Sequence, residues 1–184
     1  MIPTRYKNVN FATSDIKELP DNFLLTGPVG CGKTHYSWCK YKDLLTKDRT
    51  LRPGRDRDYD SENGYTGKNI IFTTMPDLLA EIRRSFDGQG PHENEIIETY
   101  STCDYLIIDD LGAEKITEFS RGVLFQIINH RYNYCKATMI TSNLSLGEIA
   151  ERFDDRIASR IASMCKIIKL DDKDYRMGGN NAEV

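Results

Sequence analysis

The chain has 184 residues, with 25 Lys and Arg against 28 Asp and Glu for a formal charge of −3, and 39% of its residues are apolar. At this length one domain with a real core is expected, since domains run to roughly 150 residues. The near balance of charge excludes a general electrostatic grip on nucleic acid, which draws on many uncompensated Lys and Arg, so any DNA contact must be local.

The start, Met1 to Lys7, has no apolar signal core behind its charges, and no later run approaches the roughly 20 apolar residues that cross a bilayer. A cytoplasmic protein with no membrane partner is expected. Phe23-Leu24-Leu25 then leads straight into a glycine-rich segment, as a buried strand does when it ends at a phosphate-binding loop. From Lys33 the spacing of Trp38, Tyr41 and Leu45 predicts a helix with one buried stripe. Residues 46–68 carry Lys47, Arg49, Arg52, Arg55 and Arg57 among Asp48, Asp56, Asp58 and Asp60, and predict a mobile solvated loop. Its arginines are a minor candidate for DNA contact.

Asn69 to Thr74 reads as a second strand, and Pro76 to Phe86 as a helix with Leu78, Leu79, Ile82 and Phe86 on one side, stopped by residues 87–91. A short helix over Glu93 to Tyr100 leads to the apolar strand Tyr105 to Asp110. Phe119, Val123 and Ile127 predict a long helix to about Tyr134, and Ala137 to Asn143 another strand. Ser145 and Glu148 fit a capping box that opens the next helix. A helix with Ile157, Ile161 and Met164 on one face follows, then a strand from Lys166 to Leu170. The expected organisation is one domain over residues 1–170 and a frayed tail over 171–184. Alternating strands and helices imply an α/β fold with a parallel sheet covered on both faces. Five scattered cysteines, never in a C-x-x-C pair, and three scattered histidines favour reduced thiols and no zinc site.

Gly27-Pro28-Val29-Gly30-Cys31-Gly32-Lys33-Thr34 matches G-x-x-x-x-G-K-[ST] between a strand and a helix, where that motif must sit. Its glycines permit a loop whose N–H groups turn inward around a phosphate chain, while the helix dipole adds positive potential; His35, in the first turn, joins the nucleotide-binding set. Lys33 is assigned to the β- and γ-phosphates of ATP and Thr34 to Mg²⁺. Cys31 fills a variable position, either as a tolerated small side chain or in a redox role. Two carboxylates end the strand at Tyr105 to Asp110: Asp109 is assigned to the magnesium shell and Asp110 to polarising water, against the alternative that two acids merely end a strand. Asn143 closes its strand at the edge where ligands bind in open α/β sheets, and either orients the attacking water or forms a turn. Arg156 and Arg160, four apart, share one helix face. They form either a solvated basic face or an arginine presented to a neighbouring subunit's γ-phosphate.

Together these residues resemble the AAA+ ATPases, and within them the DnaC-type helicase loaders of bacteria and phages and the similar IstB-type transposition ATPases. The resemblance runs over Ile2 to Lys7, Gly27 to Thr34, Pro76 to Leu79 with Arg83 and Arg84, Asp109 to Lys115, Ile140 to Asn143 and Asp155 to Ile161. It implies Walker A at Gly27–Thr34, Walker B at Asp109 and Asp110, sensor 1 at Asn143, an arginine finger at Arg160 with Arg156 as its companion, and a five-stranded sheet of order 5-1-4-3-2 without a C-terminal lid. Asp110 replaces the usual glutamate, which implies slow hydrolysis. Only about 20 residues precede the first strand, whereas loaders of this family usually carry a separate N-terminal domain that grips the helicase. Without a lid, adenine would be bounded by Tyr6 to Phe11 and a neighbouring subunit. The implied function is ATP-dependent helicase loading in DNA replication, as a homo-oligomer with a replicative ring helicase and single-stranded DNA as partners. Arg83 and Arg84 are the first candidates for DNA contact. The near alternative is a transposition accessory ATPase; a monomeric P-loop kinase for a small metabolite and a nucleotide-gated interaction protein lie further off.

Overall fold

A parallel sheet buried on both faces needs strands that are apolar on both sides, and the first strand, β1 (Phe23–Thr26), has all four residues buried. The computed structural model describes residues 2–54, 58–60, 64–86 and 90–170. After β1 come α1 (Lys33–Lys47), β2 (Leu51–Pro53), β3 (Asp58–Asp60), β4 (Gly64–Thr66), β5 (Lys68–Thr74), α2 (Met75–Phe86) and α3 (Glu93–Thr102). The second half runs β6 (Tyr105–Leu111), α4 (Glu118–Asn133), β7 (Ala137–Ser142), α5 (Leu146–Arg152), α6 (Asp155–Met164) and β8 (Lys166–Lys169). Among the described residues no helix is long and apolar enough to cross a membrane.

Six strands form the main sheet in the order β2-β5-β6-β7-β1-β8, with every pairing parallel. The expected five-strand order lies inside it, extended at one edge by β2. That extra strand comes from the charged excursion expected to be a solvated loop. Leu51 is the apolar anchor within it, only 4% exposed, and β2 pairs with Lys68 to Ile70 before Gly54 N–H closes the turn on Ile70 O at 2.8 Å. Beyond it β3 and β4 pair as an antiparallel hairpin. Arg55 and Arg57, the helix stop at 87–89 and the tail over 171–184 lie outside the described residues.

Strand alternation divides the core. Leu24, Leu106, Ile108 and Ile140 face α2 to α6, whereas Phe23, Leu25, Ile107 and Met139 face α1 and the N-terminal segment. That segment covers the outer side of α1, so α1 buries most of its circumference rather than one stripe, with Leu44 in the buried place expected of Leu45. Trp38 stacks on Phe72 of β5 at 3.9 Å, and Tyr6 stacks on Trp38 at 5.8 Å. Two large apolar side chains that share the helical period of their buried neighbours face outward. Phe86 and Phe119 are 61% and 38% exposed, occupy terminal turns of α2 and α4, and contact each other instead.

The second half is locked by one side chain. Arg131 of α4 is fully buried; its guanidinium donates to Thr138 Oγ1 at 2.9 Å, to the carbonyls of Tyr100 and Cys103 at 3.0 and 2.8 Å, and to Ala137 O. It thereby joins the end of α3, the body of α4 and the start of β7. Arg131→Met, which keeps the length but strands these buried acceptors, should lower the free energy of unfolding by about 3 kcal/mol or more. Urea denaturation of the two proteins checks this, with Arg131→Lys expected to recover part of the loss.

Candidate nucleotide site

The loop between β1 and α1 holds its shape because glycine occupies its left-handed positions, with φ +89° at Gly30 and +92° at Gly32. At Gly27 space is the stronger constraint: a Cβ there would lie 2.9 Å from Leu170 O and 3.0 Å from Cys31 Sγ. Cys31 is 2% exposed and packs inside the loop, which favours the small-side-chain reading over a redox one. Lys33 reaches back across the loop, and its Nζ donates to the carbonyls of Gly27 and Pro28 at 2.7 Å each. Pro28 and Val29 stand at the exposed tip.

The two acids enter from β6. Pairing of β6 with β7 is regular from Tyr105 to Ile108, shifts, and resumes at Leu111 with Ser142. Within the shift Asp110 takes a left-handed backbone, φ +56°. Asp109 is 6% exposed, and its carboxylate accepts hydrogen bonds from Thr141 Oγ1 at 2.6 Å and Thr34 Oγ1 at 2.9 Å. Burial pushes the Asp109 carboxyl above the usual carboxylate range, and the two hydroxyl donors pull it back. Asp110 N–H donates to Thr141 Oγ1 at 2.8 Å, and its carboxylate accepts from Asn143 Nδ2 at 2.9 Å. Past the bulge the Gly112 N–H donates to Glu114 at 3.2 Å, and burial raises the Glu114 carboxyl.

The loop, Asp110 and Asn143 meet in a cavity of about 440 Å³, with Asp109 bonded to Thr34 at its edge. Val29, Gly30, Lys33, Thr34, Asp110 and Asn143 form its floor, and His35 and Tyr36 lead out along α1. The N-terminal segment supplies the opposite wall, though not as expected: Tyr6 lines the cavity, but Thr13, Ser14 and Asp15 take the place of Phe11, which packs into the core. His35 Nε2 lies 2.9 Å from Ser14 Oγ and ties that wall to α1, and burial lowers the His35 pKa. A magnesium–triphosphate group fits this set of residues. Asp109 is met by hydroxyls rather than by an ammonium or guanidinium hydrogen bond, Thr34 sits against it, and Lys33 is the cation on the loop side.

Arg156 and Arg160 do not line the cavity. They share one face of α6, as their spacing predicts, and both lie along α4. Arg160 Nε donates to Asn129 Oδ1 at 2.9 Å, and its guanidinium stands 5.1 Å from the centre of Phe125 and 5.8 Å from that of Tyr132. Arg156 sits 4.6 Å over Phe125 and makes two 2.9 Å bonds to the Asp154 carboxylate. Long aliphatic stems and flat cationic heads favour such aromatic surfaces over bulk water. Arg83 and Arg84 are exposed on the last turn of α2. Sequence reasoning missed Thr141, because a β-branched residue in an apolar strand reads as core, and Ser14, because its segment has no periodicity.

A family model described as IstB-like ATP binding protein matches residues 61–182, about two thirds of the chain, a span that includes Asp109 to Asn143 and α6 but begins after the glycine loop. The replicative helicase loader DnaC of Escherichia coli strain K12 is 21% identical over 140 residues, which is 76% of this chain and 49% of the loader. An ATP-binding protein of insertion sequence IS5376 from Geobacillus stearothermophilus is 28% identical over 162 residues, 85% of this chain and 56% of its own. The chain thus spans about half the length of the curated relatives it matches. A crystal structure of the DnaC helicase loader superposes with a TM-score of 0.70 at 22% identity, covering 92% of this chain and 100% of that one. The fold is therefore the AAA+ P-loop fold.

Asp154 caps α6, and its side-chain bonds to Arg156, with the Arg156 backbone N–H adding to them, hold its carboxyl at about 2. In an NMR titration Asp154 should remain ionised at pH 3, and in Arg156→Met it should titrate nearer the ordinary 3.8. The folded value lies below the unfolded one, so the stabilisation is present above about pH 4 and is lost as pH falls through 2.

Proposed function

The chain belongs to the IstB-like ATP-binding protein family, and from that premise we propose that it binds ATP with Mg²⁺ at Gly27–Thr34 and hydrolyses it in a side-by-side assembly of its own copies. The observation that carries this reading is the convergence of Lys33, Thr34, Asp109, Asp110 and Asn143 on one cavity or its rim. Lys33 exchanges its loop carbonyls for phosphate oxygens. Thr34 and Asp109 hold the metal ion, which neutralises phosphate charge when bound. Asp110, oriented by Asn143, polarises the attacking water. Its carboxyl is one methylene shorter than glutamate, which favours slow turnover. Arg160, with Arg156 beside it, serves a neighbour's γ-phosphate, a role supported by its absence from its own cavity and by its fixed seat on α4.

The biological setting we propose is helicase loading in replication, with a replicative ring helicase and single-stranded DNA as partners. The DnaC relatives support it, and so does the exposed pair Arg83 and Arg84, a local basic surface on a chain with no global one. The insertion-sequence relative supports the alternative of a transposition accessory ATPase. Capture of a ring helicase rather than a transposase by the tagged chain decides between them.

Lys33→Ala should abolish nucleotide binding or turnover, whereas Asp110→Asn should keep binding and lose hydrolysis; calorimetric titration with ATP and a phosphate-release assay measure the two. Unchanged affinity and turnover in folded Lys33→Ala would overturn the site. Shared sites make a second prediction. Lys33→Ala retains the arginine and Arg160→Ala retains the pocket, so mixtures should hydrolyse ATP faster than either variant alone, peaking at intermediate ratios. An arginine finger contributes about 10³ to 10⁵ in rate in well-measured nucleotide hydrolases, so the rise should be large. A flat line despite demonstrated co-assembly returns Arg160 to the solvated-face reading.

A further inference from the structure

Among the fully buried polar side chains, Thr141 of β7 is the one that touches both acids of the site. A threonine hydroxyl carries one proton and two lone pairs. The Asp110 N–H can only donate, so Thr141 Oγ1 must accept at that 2.8 Å contact. Its own proton is then committed to Asp109 Oδ1, 2.6 Å away. With Asp109 ionised, direction is fixed at both ends.

The backbone explains why a side chain is needed there. Asp109 and Asp110 lie in the shift between the regular pairs Ile108–Ile140 and Leu111–Ser142, where the parallel ladder is interrupted. A buried N–H left unpaired there would be costly, as would an unsupported left-handed aspartate. Thr141 takes the N–H, Ser142 Oγ donates to Leu111 O at 2.6 Å, and Asn143 Nδ2 reaches the Asp110 carboxylate. Two successive side chains of β7, Thr141 and Ser142, thus take up backbone groups that the ladder leaves, and Asn143 just past its end holds the Asp110 side chain.

We propose that Thr141 is a positioning residue for ATP hydrolysis: its single hydroxyl couples the metal-side acid Asp109 to the water-side acid Asp110 and holds both in register with Thr34 and Asn143. A threonine conserving only volume would be replaceable by valine; here the hydroxyl has two partners, the Asp109 carboxylate and the backbone N–H of Asp110. The inference rests on the hydrolytic reading of Asp109 and Asp110, so its test has one arm that needs no nucleotide.

The variants are Thr141→Val, which keeps the shape and removes the hydroxyl, and Thr141→Ser, which keeps the hydroxyl. In the full chain without nucleotide, amide hydrogen exchange at Asp110 should quicken about tenfold or more in Thr141→Val and stay near the parent rate in Thr141→Ser. With ATP, kcat should fall about tenfold or more in Thr141→Val while nucleotide affinity measured without Mg²⁺ stays within about twofold, and Thr141→Ser should restore kcat. Should Thr141→Val fail to fold, Thr141→Cys, whose thiol accepts weakly, must show the same pair of losses. Parent-like Asp110 exchange in the folded valine variant, or a kcat loss that serine does not restore, overturns the proposal. Parent-like turnover in Asp110→Asn together with fast Asp110 exchange in Thr141→Val overturns the hydrolytic reading instead and leaves the positioning geometry standing.

Discussion

A sheet covered on both faces has no room for polar chemistry along its length, so charged groups collect where its strands run out. In this chain the constraint acts on three strands that are neighbours in the sheet, β6, β7 and β1. Their carboxyl ends deliver Asp109 and Asp110, Thr141 with Asn143, and the glycine loop with Lys33 and Thr34. The bond from Thr34 to Asp109 spans 75 positions of sequence at 2.9 Å and joins the first helix to the central strand. Adjacency in the sheet, rather than adjacency in the chain, brings these groups together.

Much of this was legible because the signals were local. A glycine loop between an apolar strand and an amphipathic helix announces its own conformation, and the Ser145–Glu148 capping box forms as the spacing predicts. Two acids after four apolar residues mark the end of β6. Other features were hidden by physics that no single segment carries. Leu51 is one apolar residue in a charged run, and only the exposed edge of β5 makes it a strand. Phe86 and Phe119 fit the helical period of their neighbours, but a period does not reveal that a terminal turn has no layer above it. Thr141 was hidden most completely, since its role depends on a register shift between two distant segments.

The α6 arginines show how a cation is kept in place on a surface. Arg160 is held by Asn129 and lies over Phe125 and Tyr132, while Arg156 is held by Asp154 over the same Phe125. Few rotamers satisfy such a seat, so the entropy of ordering a long side chain is largely spent on folding rather than on meeting a partner. The same contacts tie α6 to α4, since Asn129 and Phe125 belong to the helix that Arg131 anchors to the sheet.

Trp38 is the only tryptophan in the chain. Its indole lies flat on Phe72 in the sheet, and the ring of Tyr6, which also lines the cavity, stacks against it. Indole emission responds to the polarity and contacts of its immediate surroundings. The fold has therefore placed an intrinsic fluorophore one ring away from the cavity, on the side where the N-terminal segment closes it, so displacement of Tyr6 becomes an optical signal that needs no attached dye.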